Sequence, residues 1–255
     1  LTPVLSALTF PPIEELLEWP DIWVIPGFNK VALLCVLSTL IVIAFFLIAG
    51  RRRELVPRGV QNIAESTVEF VENSIIMQTM GPEGLYWLPF LLTMFTFLLV
   101  ANLFELVPFI QFPATARMAV PLPLALFVFL LFVIMGVKRQ GMGGYLKSTL
   151  VPPGVPKPLY VLVVPIELFS TFLMRPFSLA VRLFANMLAG HLLLVTFALL
   201  SAALFTKSVM IVLLPLPVAM LVAVTVFELL VAVLQAFIFT ILAAVYIGEA
   251  MHPQH

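Results

Sequence analysis

The chain has 255 residues, of which 62% are hydrophobic and only 10% charged, with a formal net charge of zero. A soluble domain carries about a quarter charged residues, so a chain this apolar cannot cover its surface with polar groups and has a bilayer as its natural solvent. Zero net charge leaves no basic field for nucleic acid and no acidic tail, and one cysteine, Cys35, excludes an intrachain disulfide or a cysteine-based zinc site.

The elements are expected in one membrane domain spanning residues 1–255. Residues 1–27 read as an outer-side N-terminal segment with a short amphipathic stretch from Pro12 to Trp19, and Trp19 and Trp23 suit a membrane–water boundary. The first residue is Leu1 rather than Met, as expected after a cleaved or omitted leader. Residues 28–50 form the first clean span, stopped by Arg51, Arg52 and Arg53, a cation cluster that marks a cytoplasmic end. Residues 55–80 differ. Val60, Ile63, Ala64, Val68, Val71 and Ile75 recur at helical spacing, with Glu65, Glu69 and Glu72 on the other side, which predicts an amphipathic helix on the cytoplasmic surface.

Residues 85–137 hold two spans, about 85–110 and 121–137, followed by a polar Gly- and Pro-containing stretch to Pro158. From 159 to 250 the chain is apolar almost without pause. Its first part exceeds forty residues, so a straight helix would run roughly 70 Å, over twice the hydrocarbon thickness. It is expected either broken into re-entrant pieces or strongly tilted, with Pro165 and Pro176 permitting kinks. Eight of the 13 Lys and Arg fall in 51–58 and 138–157, which with five crossings places the N-terminus outside and the C-terminus in the cytoplasm. The expected fold is therefore all-α and polytopic: about five membrane-embedded helices plus a surface amphipathic helix.

Ionisable groups are costly in hydrocarbon and face partners or water there. Glu105, Glu167, Arg175, Arg182, His191 and Glu228 all fall in apolar runs, and Asn186 and Gln235 add amides. Arginine keeps its proton under all ordinary conditions, so Arg182 can hold an anion or repel a cation but cannot relay protons. Ser178, Arg182, Asn186 and Ala189 share one side of a helix, with Arg175 on about the same side. His191, nine residues after Arg182, falls on about the opposite side. Glu228 and Gln235 share a side with Tyr246. Glutamate and histidine can take up and release protons, so relay and barrier are expected on different faces. Structural roles compete with this for every residue named, least for Arg182 and most for Glu105 and Arg175. His252 and His255 without a third ligand make a poor metal site. No metal and no cofactor is expected.

The run from Arg175 to His191 (RPFSLAVRLFANMLAGH) closely resembles the signature of the subunit a family of rotary F-type ATP synthases. Leu234 to Phe239 (LQAFIF) resembles that family's final helix, and Asn102 to Pro108 (NLFELVP) an earlier Asn/acid/Pro stretch. The resemblance covers nearly the whole chain from about residue 28. It implies a non-catalytic stator subunit of the Fo motor whose last two segments form a long tilted hairpin along a ring of c subunits. It implies that Arg182 faces the ring carboxylates, that Asn186 and Gln235 neighbour it, and that His191 and Glu228, with Glu167 and Glu105, line proton access. Here the histidine precedes the acid, the reverse of the order in some members, which suggests a coupled pair. The implied partners are the c-ring, peripheral-stalk subunit b, the F1 head through the stalk, and membrane lipid. The implied location is a bacterial plasma membrane rather than a mitochondrial inner membrane. The segment 113–121 has no Asp or Asn where some members do.

A secondary transporter or ion channel would also keep Arg, His and Glu at mid-membrane, although no internal repeat is visible. An intramembrane hydrolase would need HExxH or GxSxG, and neither motif occurs.

Overall fold

The computed structural model describes residues 29–51, 56–107, 110, 112–151, 157–205 and 209–251. The expected N-terminal amphipathic stretch, Trp19, Trp23, Arg52, Arg53, Lys207 and the tail histidines lie outside these residues. Among the described residues every regular element is helical.

Helix α1 (Lys30–Arg51) opens where the Asn29 side chain accepts the Ala32 N–H at 3.1 Å, an N-cap, and closes on Arg51, whose charge complements the helix C-terminus. Its interior has no breaker, and Leu40, Ile43, Leu47 and Ile48 are exposed, an apolar exterior that only lipid or another apolar surface tolerates. Gly59, at φ 59°, precedes α2 (Val60–Val71). A π-helical turn at Glu72–Ile76 and a final turn at Met77–Thr79 extend α2 until Gly81, at φ 67°, ends it. Only glycine enters that left-handed region cheaply. A 3-10 segment at Pro82–Trp87 leads into α3 (Leu88–Leu103), and 3-10 turns follow at Phe104–Leu106 and Ala114–Ala116.

Helix α4 (Pro121–Leu150) is bent sharply at Gly141, where φ is 74° and ψ 163°. Beyond the bend the chain doubles against itself: the Tyr145 ring lies where a Cβ on Gly136 would sit, and Ser148 donates to Gln140 Oε1 at 2.6 Å. The polar stretch after residue 137 is thus helical to Leu150 rather than irregular from its start. Helix α5 (Tyr160–Phe169), a π turn at Ser170–Met174 and α6 (Arg175–Leu204) run on without interruption. Of the two expected forms for this long apolar segment, the described residues take the unbroken one: Tyr160–Leu204 spans 45 residues. The π turn falls between Pro165 and Pro176, each of which lacks an N–H and so loosens the helical ladder. A 3-10 turn at Val209–Leu213 precedes α7 (Pro215–Met251).

Among the described residues five helices are long and apolar enough to cross a membrane: Lys30–Arg51, Pro82–Leu106, Pro121–Leu150, Tyr160–Leu204 and Ile211–Met251. The last two form a long hairpin, and the chain is a multi-pass membrane protein. Helix α7 is central and packs on α6, α3 and α4, while α1 packs on α3 and α2. The buried side of α7 carries Ala232, Ala236, Ala243, Ala244 and Gly248 around Phe239 and Ile247. Helices in lipid gain little from hydrophobic exclusion and associate through close van der Waals approach, which small residues permit. At Gly248 the fit is tight enough that a Cβ would meet the Thr79 carbonyl at 3.1 Å.

Candidate functional site

Two polar groupings lie on opposite sides of α6. The first is buried between α3, α6 and α7. Glu105 sits in the 3-10 turn ending α3, His191 midway along α6 and Glu228 on α7, and all three are buried at 3%, 6% and 2% exposure. His191 Nδ1 lies 4.0 Å from Glu105 Oε1, beyond a direct hydrogen bond but within ion-pair reach once the ring is protonated. Glu228 is near enough to Glu105 to act on it electrostatically. Gly190 makes room for Glu228, since a Cβ there would occupy the carboxyl group's position. Glu105 Oε1 and Glu228 Oε2 have no hydrogen-bond partner among the described residues. Buried oxygens without partners are costly, and they are places where a proton or a water is well received.

The ring of Phe112 stands edge-to-face on His191 at 5.3 Å between centroids. On its other side Lys30 lies 5.8 Å from the same centroid, and the ammonium donates to the Ile110 carbonyl at 2.9 Å. Deeper in the bundle, Thr115 donates to Asn102 Oδ1 at 2.6 Å and Asn102 donates to the Ala232 carbonyl at 3.3 Å. Sequence reasoning passed over Lys30, Phe112 and Thr115. Lys30 opens a span, and nothing in the linear order signals that residues 110–115 fold back beside His191. The stretch that lacks Asp or Asn thus supplies a threonine instead.

The second grouping lies along the outward side of α6. Arg182 is half-buried and makes no hydrogen bond or ion pair with any other described residue. Around it Ser178, Ala185, Asn186 and Ala189 are exposed, so the guanidinium stands on a face of small side chains. Asn186 Nδ2 donates to Gln235 Oε1 at 2.8 Å, tying α6 to α7, and Gln235 Nε2 is buried with no partner among the described residues. Arg175, two turns before Arg182, pairs with Glu249 of α7 at 2.6 Å and lies 5.1 Å from the Tyr246 ring centroid. Glu167, half-buried on α5, is not brought to either grouping. No cluster of three or more His, Cys, Asp or Glu suited to a metal occurs among the described residues.

Arg182 is thus a permanent cation without a partner among the described residues, backed by a buried acid–histidine cluster. The family profile described as "ATP synthase A chain" matches residues 32–248. The protein named ATP synthase subunit a of Frankia alni is 43% identical over 232 residues, covering 89% of this chain and 79% of the relative. The chain belongs to the ATP synthase A chain family. Proteins of the same name from Rhodococcus erythropolis and a Parafrankia species are each 43% identical, over 227 and 225 residues, covering 88% of this chain and 82% and 76% of theirs. Glu105, Arg182, Asn186, His191, Glu228 and Gln235 all lie within the matched range.

Proposed function

We propose that the chain is the stator subunit a of an F-type ATP synthase Fo motor, and that it provides two offset half-channels for protons moving to and from a c-ring. The observation that carries this reading is Arg182: a cation in an apolar helix, half-exposed on a small-residue face and unpartnered among the described residues. Such a group in hydrocarbon calls for an anion from outside the chain. A carboxylate on a passing ring helix meets that need, and Ser178, Ala185 and Ala189 leave room for the helix to come close.

The buried cluster supplies the other half. Positive-inside orientation puts the Lys30 end of the bundle outside. A proton arriving there passes Glu105, His191 and Glu228 and neutralises a ring carboxylate. The neutral acid can enter lipid because its desolvation cost has fallen. When the site returns to Arg182, the fixed positive charge favours the ionised carboxylate, and the proton leaves by the Arg175 end. Arginine itself holds its proton, so Arg182 separates the two half-channels. Each charge crossing yields about 2.3 kcal/mol per 100 mV. Asn186 and Gln235 hold the polar surroundings of Arg182, and Glu167 is assigned to access on the opposite side. Subunit b and the F1 head complete the assembly in a bacterial plasma membrane, and this chain performs no bond chemistry of its own.

The test is ATP-driven proton pumping by the reconstituted complex. Arg182→Ala should abolish it while the c-ring and F1 still co-purify. Pumping at the wild-type rate would remove the arginine from the mechanism. A substrate-dependent flux through the purified chain alone would favour a transporter instead.

A further inference from the structure

The hairpin is joined by polar contacts at two heights. Near the Met251 end of α7, Arg175 pairs with Glu249 at 2.6 Å, its guanidinium lying 5.1 Å from the Tyr246 centroid. Further along, Asn186 donates to Gln235 at 2.8 Å. Arg182 lies between these two cross-links, seven residues after the first and four before the second, on the same side of α6. It makes no contact of this kind itself.

Helices α6 and α7 pack against each other. The buried side of α7 is rich in small residues, Ala232, Ala236, Ala243 and Ala244, which let a neighbouring helix approach closely, and the polar contacts add direction to that packing. Upstream, the π turn at Ser170–Met174 offsets the phase of α6 relative to α5 by about one residue. The arginine head lies roughly 9 Å from its helix axis, so a roll of about 20° would swing it about 3 Å, the difference between touching and missing a neighbouring carboxylate.

We propose that the Arg175–Glu249 pair, seated on Tyr246, is a positioning device. Together with the Asn186–Gln235 hydrogen bond it stops α6 from rolling on α7 and so sets the direction of Arg182. The inference rests on the reading of Arg182 above. An exposed ion pair adds little stability, and this one does not need to: it selects an angle. Tyr246 contributes by holding the guanidinium from a third side, and Phe132 of α4 backs the tyrosine at 5.9 Å between ring centroids.

The experiment uses the whole complex carrying Glu249→Gln, Arg175→Lys, or the charge swap Arg175→Glu with Glu249→Arg. Co-purification of ring and F1 should be unchanged in all. A misplacement of about 1 Å in a reacting group can cost about 100-fold, so ATP-driven pumping should fall about tenfold or more in Glu249→Gln. The swap and Arg175→Lys should restore it to within about threefold, which loss of packing alone would not do. Spin labels at Ala189→Cys and Leu229→Cys, with Cys35→Ala, should give a broadened distance distribution in Glu249→Gln that narrows again in the swap. Superimposable distributions for Glu249→Gln and the parent would overturn the proposal, as would full pumping in that variant. If Arg182→Ala pumped normally, the reading of Arg182 would fail by itself, and the distance measurement would still decide whether the clasp holds the helix.

Discussion

The two sides of α6 obey different rules. The inward side carries Leu179, Leu183, Met187, Gly190 and His191, all buried, and every polar group there lies against atoms of the same chain. The outward side carries Ser178, Arg182, Ala185, Asn186 and Ala189, small or polar, with Arg182 unpartnered among the described residues. One helix therefore completes its packing within the bundle on one side and leaves it incomplete on the other. On the inward side two carboxyl groups, from the turn after α3 and from α7, gather around His191 inside the bundle, whereas the cation on the outward side is tolerated only if something else arrives.

The comparison breaks most visibly if the cation is moved around the helix. Leu183 has 0% exposure, one step from Arg182 in sequence. Leu183→Arg would put an unpaired guanidinium among apolar side chains, a cost of about 3 kcal/mol or more. The chain should vanish from the membrane fraction on quantitative immunoblots. Normal accumulation would mean the inward side is less closed than described. A smaller effect is expected at Gly190→Ala. The added methyl would overlap the Glu228 carboxyl, and overpacking typically costs about 1–3 kcal/mol. Proton flux should fall about tenfold with the chain still present, since about 1.4 kcal/mol on a barrier is a tenfold rate change. Smaller still is Glu228→Gln, which keeps the shape and removes the exchangeable proton. Flux in vesicles should drop, by about two- to tenfold on the same conversion, and thermal stability of the complex should stay unchanged. Unaltered flux would remove Glu228 from the route and leave His191 and Glu105 to carry it.

Much of this contrast was legible in the chain before folding. Helical arithmetic across Arg175–His191 separates Arg182 from His191, and a stretch without breakers keeps that arithmetic valid, as α6 runs unbroken. The membrane-length helices follow from apolar length, whereas the final hairpin is implied by the resemblance of Arg175–His191 and Leu234–Phe239 to the family. What could not be read is which distant segments close on the inward side. Glu105 reaches His191 from the 3-10 turn Phe104–Leu106, and Ala114–Ala116 forms another such turn; turns of this kind leave no periodic signal. Nor does composition mark the π turns. One extra residue per turn at Ser170–Met174 offsets the phase between Glu167 and Arg182, so counting by 3.6 across it misplaces the acid. The sharp bend at Gly141 is similar: three glycines stand close together at 141, 143 and 144, and only the positive φ of Gly141 reveals which one turns the corner.

The polar cross-links also set an order of events at the ribosome. Lys30 must wait 80 residues for the Ile110 carbonyl, Arg175 waits 74 for Glu249, and Asn102 waits 130 for the backbone of Ala232. At about 5–20 residues per second these are delays on the order of ten seconds. Helix α7, translated after the other described helices, brings the acceptors for Asn102, Arg175 and Asn186, so the spans before it leave the translocon with those needs unmet. A nascent chain stalled before α7 would be a bundle with its amides and its guanidinium turned toward lipid, recognisable to membrane quality control by that alone.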